Sequence, residues 1–399
     1  MPADQAPTLL AGEDAGAPSP RRPRHRRSHS LPCGRRGRIT GAPSSKEGPV
    51  TGTIRTAVIG AGGIGRTHAR TYKANPLADL VAICDLDRSR ADAAAAEFGV
   101  RAYYDLATML AAERPDMLSV ATAGTENGSH HCAPTIQALE AGVHVLVEKP
   151  ISNDLVEAVR MVEVARRTGK CLAVDLNHRF TPATEMARAK IDSGALGDVL
   201  FVNMNLWIRN PKDDPPYFHL RALHSHSVDV MRHLGGDVAK VQAFFQRGPG
   251  RNGWSNASIN LQFASGALGH LTGSYDMHGP DRHSIERTEV GGTRGRVVID
   301  NSTVDFHWFP HDSKESVHVH NAGGLTSFGE TFGTRLGRWL QQLAAGDAPG
   351  AIEGSGVEGL LAHAVVESAI RSHETGQVVV VADLLDEAAR AAGLTGWSR

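Results

Sequence analysis

From residue 54 onward, short apolar runs alternate with stretches whose apolar positions recur every three or four residues. A β-branched run at 54–59 meets a glycine loop, and helical spacing follows over about 64–74. A strand at 80–84 leads through Asp85, Leu86 and Asp87 into an Ala-rich helix ending near residue 98. Runs at 102–104, 117–121, 143–147 and 171–176 read as further strands, with helices at about 106–112, 133–141 and 155–168 between them. Such alternation predicts a parallel sheet covered by helices on both faces. After about residue 177 the period becomes two, at 199–207, 239–245, 258–263, 267–275, 296–299 and 304–309. Gly-rich turns separate many of these runs, which points to an antiparallel sheet with one packed face and one available face. Helices at about 328–345 and 356–375 precede a short strand at 378–380.

Composition narrows the class. The 399 residues are 41% hydrophobic and 21% charged, an ordinary soluble balance, and the length suggests two domains. A formal net charge of -1 exerts no global pull on nucleic acid or an anionic membrane. No apolar run approaches the roughly 18–20 residues of a membrane helix. Four scattered cysteines without a CxxC pair argue against a disulfide framework and fit a reducing cytoplasm. Residues 1–52 stand apart: they hold nine Lys or Arg against four Asp or Glu, with little apolar periodicity. They read as a disordered basic tail, or as a gene start set too early with translation beginning near Val50. Their arginine-rich run is not followed by the apolar stretch of an export signal.

The loop at 60–65 reads GAGGIG, which fits G-x-G-x-x-G. Gly60, Gly62 and Gly65 permit a tight turn, close approach to a pyrophosphate and close helix–strand packing, with Gly63 and Ile64 between them. The loop follows a strand, opens a helix, and precedes Asp85 by twenty residues at the end of the next strand. A carboxylate there accepts hydrogen bonds from a ribose diol and repels a 2′-phosphate, so NAD is favoured over NADP. Arg88 is the nearby residue that could reverse that preference. The expected fold is α/β: a Rossmann dinucleotide-binding domain over 53–177, then an α+β domain over 178–399 with an open, mostly antiparallel sheet.

Residues 143–150 read VHVLVEKP, an apolar strand that delivers Glu148 and Lys149 to the carboxyl end of the sheet, where open α/β folds bind ligands. Pro150 fixes the turn and is a candidate for a cis peptide bond. With GAGGIG, EKP, NHRF at 177–180 and HSVD at 226–229, the chain over about 54–380 resembles the glucose-fructose oxidoreductase / inositol dehydrogenase / MocA family. The resemblance implies hydride transfer between NAD and a carbinol carbon of a cyclitol, sugar or sugar derivative. It implies that Lys149 orients the reacting hydroxyl and that His226 takes its proton. A histidine suits that role because its ordinary pKa of about 6.5 lets it gain and lose a proton near neutrality. It also implies cofactor contacts from Thr122, Glu148 and Lys149, and a homodimer or homotetramer.

Two departures from the family pattern stand out. Aligned on His226, the family's D-x-G-x-H segment becomes Ala222-Leu223-His224-Ser225-His226, so the usual aspartate is absent. His224 is a candidate proton relay or a structural histidine, His219 and Arg221 could supply polarity, and Asp229, one helical turn on, could orient His226. The connection at 121–131 is also longer than the family's and lacks its proline, making Glu126, Asn127 and His131 candidate contacts near the nicotinamide ribose. His130 and His131 point apart at a helix start, so no metal site is expected. Asn177, His178 and Arg179 leave the last parallel strand toward the cleft, with His178 and Arg179 candidates for ring hydroxyls. Asn205 and Trp207 share a face of the second sheet, and Trp207 offers either a sugar-stacking surface or sheet packing. Two rival readings remain open: a redox-neutral NAD enzyme of glycosidase or lyase type, and a non-catalytic NAD-binding sensor.

Overall fold

The computed structural model describes residues 52–123, 130–213, 215–279, 284–301, 303–325, 329–394 and 397. The expected basic tail falls almost wholly on residues 1–51 and, like Glu126 and Asn127, lies outside the described residues.

The first sheet has six parallel strands: β1 (Ile54–Ile59), β2 (Ala78–Cys84), β3 (Arg101–Tyr103), β4 (Met117–Val120), β5 (His144–Val147) and β6 (Leu172–Val174). Their order is β3-β2-β1-β4-β5-β6. Winding therefore reverses between β1 and β4, and a ligand crevice opens beyond the carboxyl ends of those strands. The helices between the strands carry local start and stop signals. In α2 (Arg88–Phe98), Asp87 accepts from the backbone N–H groups of Ser89 and Arg90, and Gly99 ends the helix at φ 66°. In α5 (Leu155–Thr168), Asp154 and Gly169 play the same parts. The others are α1 (Gly63–Ala74), α3 (Leu106–Glu113) and α4 (Cys132–Glu140).

The second sheet has nine strands: β7 (Val199–Trp207), β8 (Val238–Gln246), β9 (Asn256–Phe263), β10 (Leu268–Ser274), β11 (Ile285–Gly292), β12 (Gly295–Asp300), β13 (Asp305–Pro310), β14 (Val317–Val319) and β15 (Val379–Val380). Their order is β14-β13-β12-β11-β7-β10-β9-β8-β15, antiparallel throughout except for the β7–β10 pair. Its inner face is covered by α6 (Pro182–Asp192), α7 (Phe218–Gly235), α9 (Gly356–Thr375) and α10 (Val381–Ala391). Along β7, Val202, Met204 and Leu206 are buried on that face. The opposite face exposes Phe244 and Leu268.

Helix α8 (Glu330–Ala344) returns to the first sheet. Leu336, Trp339 and Leu340 pack with Ile54, Val58 and Tyr72, and the Trp339 indole N–H reaches Met117 Sδ at 3.3 Å. Burying side chains of this size against the first sheet ties this late helix to β1 and α1.

Among the elements that went unforeseen, which include α6, β11, β14 and α10, two are instructive. Helix α6 carries a clear start signal, Thr181 capping Thr184 N–H with Pro182 in the first turn. Strand β11 carries almost none. Its inward positions are Glu286, Thr288 and Val290, and two polar residues of three erase the apolar alternation that marks a strand.

Candidate active site

The loop after β1 is shaped by two approaches that leave no room for side chains. Gly60 has φ 98°, and a Cβ there would sit 2.3 Å from the Ala121 carbonyl oxygen. A Cβ on Gly65 would sit 1.7 Å from the Gly60 carbonyl oxygen. Gly62 and Gly63, by contrast, meet nothing within 4 Å. Gly62 also begins α1 without a side-chain cap, so the first-turn N–H groups are left to a ligand. A helix start of this kind attracts phosphate through those donors and the helix dipole.

A groove of about 800 Å³ lies against this loop, with Gly60, Gly62, Gly63 and Ile64 in its lining. The lining continues from Asp85 and Arg90 through Thr122 and Glu148 to Lys149, Phe218 and Ala222. Asp85 Oδ2 accepts from Ala61 N–H at 2.8 Å, and Oδ1 accepts from Asp87 N–H at 2.8 Å and Arg90 Nη2 at 3.0 Å. Burial alone would raise this carboxyl group, but the bonds from Arg90 and the two backbone groups outweigh it and hold it below the usual carboxylate range. Arg88, the residue weighed against NAD, instead stacks on Tyr104 at 4.2 Å. A bare glycine floor, a free helix start and an ionised Asp85 fit NAD.

At the other end of the groove, Lys149 leaves β5 through a cis peptide bond to Pro150. Its Nζ donates to the Ala222 carbonyl oxygen at 3.1 Å, so the ammonium is turned toward α7. His226, on α7, stacks on His178 with ring centroids 4.1 Å apart and planes 26° from parallel. Behind it, His178 Nδ1 bonds to Glu286 Oε1 at 2.8 Å, with both side chains nearly closed to solvent. Burial first, then the neighbouring His178 and Lys149, holds His226 well below the ordinary histidine value. The ring is therefore neutral, and its Nδ1 is buried without a hydrogen-bond partner. A neutral imidazole keeps a nitrogen lone pair, the form a proton acceptor requires.

Several sequence expectations are corrected by these contacts. His224 is fully buried, with Nδ1 on Ser227 Oγ and Nε2 on His219 Nε2, each at 3.0 Å. It rests on Gly273 of β10, where a Cβ would come within 1.8 Å of its Nε2, so it is packed between α7 and β10 and does not line the groove. Arg179 and Asp229 do not face a substrate. They form a buried two-pronged ion pair with each other, and Arg179 also reaches Glu358. Asp229 is thus committed to Arg179 and does not orient His226. Arg221 is taken by Glu367 at 2.6 Å. Trp207 lies across β7 from the buried row that faces α7, on the same side as Asn203 and Asn205, so it cannot stack on a sugar beside Lys149. His131 is buried between the carbonyl oxygens of Pro150 and Thr122, whereas His130 lines the groove.

Comparison with known proteins agrees with this geometry. Residues 54–176 match the model for the oxidoreductase family with an NAD-binding Rossmann fold, and residues 184–298 match the GFO/IDH/MocA C-terminal domain. The chain belongs to the GFO/IDH/MocA oxidoreductase family. It is 32% identical to D-apiose dehydrogenase of Paraburkholderia graminis over 62% of this chain and 67% of that protein. It is 28% identical to inositol 2-dehydrogenase of Rhizobium meliloti over 80% of this chain and 97% of that protein. The match to D-glucoside 3-dehydrogenase of Escherichia coli, at 36%, spans less than half the length of that relative, 43%. Among solved structures, levoglucosan dehydrogenase in complex with NADH and L-sorbose shares the fold, with TM-score 0.74 at 21% identity over 83% of this chain and 99% of that one.

Within this GFO/IDH/MocA chain, a buried ionic cluster supports the EKP turn, and sequence reading missed it. His68 of α1 places Nδ1 2.6 Å from Ser119 Oγ, and Nε2 3.0 Å from Glu148 Oε1 and 3.2 Å from Asp175 Oδ2. Burial opposes a charge on His68, yet the bonds to Asp175 and Glu148 outweigh it and raise the ring to about 9. The Glu148 carboxylate is thereby turned inward, while its Oε2 accepts from the Lys149 N–H at 3.1 Å. His68 stands three residues past the last glycine of the loop, on the buried face of α1. That spacing was the available signal.

Proposed function

We propose that this chain is an NAD-dependent dehydrogenase of a CH–OH group on a cyclitol, sugar or sugar derivative. The observation that carries the reading is the His226 ring, stacked on the Glu286-bonded His178 and close enough to feel the charge of Lys149, which lines the end of the dinucleotide groove. The names of its relatives, acting on apiose and inositol, support the substrate class. When bound, NAD accepts the hydride that leaves the carbinol carbon. Lys149 Nζ, held near α7 by the Ala222 carbonyl, donates a hydrogen bond to the substrate hydroxyl and stabilises its oxygen as the proton departs. The neutral His226 ring accepts that proton. The charge so created is offset by the Glu286 carboxylate, which is tied to the far side of the stacked His178. Glu286 thus supplies, from a strand of the second sheet, the acid that Ala222 lacks.

The same reading includes a homo-oligomer of two or four copies, because the outer face of the second sheet exposes Phe244 and Leu268. Purified protein is offered a panel of inositols, pentoses, hexoses and their keto forms with NAD or NADP, and reduced-cofactor absorbance is followed. Turnover of at least one polyol with NAD, abolished in Lys149→Ala while NADH binding persists, is the expected result. Inactivity across the panel by a protein that binds NADH overturns the reading and favours a sensor.

A further inference from the structure

Strands β13 and β14 form the edge of the second sheet that lies far from Phe244 in the strand order, and they carry a group of side chains the dehydrogenase reading does not use. The two strands run antiparallel, with His307 directly opposite His318 and Phe306 opposite Val319. Phe306 and Trp308 are buried, so alternation turns Asp305 and His307 to the outer face, together with His318 and His320. Continuing the register by one step sets Asp305 opposite His320, where Asn321 N–H donates to Asp305 Oδ1 at 2.8 Å. Three histidines and a carboxylate thus make a two-by-two block on neighbouring strands.

Nδ1 of His307 and Nδ1 of His318 are 2.8 Å apart. Two imidazole nitrogens at that distance can share only one proton, because two protonated rings repel and two bare lone pairs leave the contact unmade. The second nitrogen of His318 is already engaged, with Nε2 2.6 Å from Ser316 Oγ. With Nε2 donating to the serine, Nδ1 carries the lone pair and is directed at His307. The His320 ring lies 5.9 Å from that of His307, and its Nδ1 is 3.6 Å from Asp305 Oδ2. His320 is largely exposed, so its ring is free to turn toward the other two.

We propose that His307, His318 and His320, together with Asp305, form a surface site for a divalent transition-metal ion of the zinc type. The ion takes the place of the proton shared by the two Nδ1 atoms. Neutral imidazole is a preferred ligand for zinc, and three histidines plus one oxygen complete a tetrahedral set. With zinc–nitrogen bonds of about 2.0–2.1 Å, two nitrogens on one ion lie roughly 3.3 Å apart. The His307–His318 contact therefore opens by roughly 0.5 Å on metal uptake, and the exposed His320 ring, 5.9 Å from that of His307, swings in to complete the set. Such an ion would fasten the short strand β14 to the sheet from its outer face.

Chelator-treated full-length protein is titrated with Zn2+ by equilibrium dialysis and with Co2+ by visible absorption. The parent chain is expected to bind one equivalent of zinc beyond that bound by the His307→Ala/His318→Ala double variant. Tetrahedral-type cobalt absorption is expected in the parent and absent from the double variant. His320→Ala weakens binding tenfold or more, and NADH affinity is the same in all three proteins. Circular dichroism of the three proteins checks that each is folded. Equal zinc uptake by the parent and the double variant, or no uptake by either, overturns the site, since histidines elsewhere or in the amino-terminal segment would then account for whatever binds.

Discussion

Glu286 accepts a hydrogen bond from His178 at 2.8 Å, joining a strand of the second sheet to the 3-10 turn that leaves the first. The bond places a carboxylate behind the His178–His226 stack, and in the proposed reaction that carboxylate offsets the positive charge formed on His226. Glu286→Gln keeps the shape and removes that charge. The expected result is a fall in kcat of about 100-fold or more, the usual scale for losing acid–base assistance, with NADH affinity unchanged. Steady-state rates on any polyol found active, set against NADH fluorescence titration, decide it. Parent-like kcat in the variant would remove Glu286 from the chemistry.

The glycines of the dinucleotide loop are predicted to separate into two classes. Gly65→Ala forces a Cβ to within 1.7 Å of the Gly60 carbonyl oxygen, so the fold itself must shift. Melting temperature and NADH binding should both fall. Gly62→Ala meets no protein atom within 4 Å, and its φ of -73° suits alanine. Melting temperature should hold while NADH binding weakens at least tenfold, because the new methyl group occupies the space a pyrophosphate approaches. Unchanged NADH affinity in Gly62→Ala would mean the cofactor does not lie on this loop.

The cofactor half of the site was legible because its signals are local. Spacing from Gly60 to Gly65, and from Gly65 to Asp85, is enough to describe a strand–loop–helix–strand unit, and EKP marks the end of another strand. The proton-handling half depends on tertiary pairing. Nothing near Ala222 announces that a carboxylate from β11 stands behind His178, and the polar inward residues of that strand also hid it. Arg179 and Asp229 looked like substrate ligands because charge in a cleft segment suggests solvent, whereas here each neutralises the other in the interior. The placement of Trp207 was legible in part: Val202, Met204 and Leu206 define the buried row, and Trp207 is out of phase with it.

Arg179 offers a test of that correction. Its guanidinium is buried against Asp229 and Glu358, and burial is outweighed by those two carboxylates, so it remains charged. Arg179→Ala leaves Asp229 buried and unpaired, a change that costs about 3–5 kcal/mol when one partner of a buried pair is removed. Urea unfolding should show that loss in free energy, with a midpoint shift. A variant as stable as the parent but with raised KM for polyol would return Arg179 to the substrate.

The His68 cluster makes stability depend on pH with a definite sign. The ring is raised from 6.5 to about 9 in the folded protein by Asp175 and Glu148. A group whose folded value exceeds its unfolded value binds its proton more tightly when folded, so its contribution is complete below pH 6.5 and is lost as pH rises toward 9. His131 and His224 act in the opposite window. Burial holds them at about 4 and about 3, so their contribution is present above pH 6.5 and declines on acidification. His68→Gln should therefore lower the melting temperature near pH 6.5 and flatten its decline toward pH 9, leaving the acid limb untouched. A variant that keeps the parent's full alkaline slope would show that His68 is not the group losing its proton there. The test also bears on the site, because His68 holds the Glu148 carboxylate that receives the Lys149 N–H. If that support matters, kcat in His68→Gln falls more than NADH affinity does.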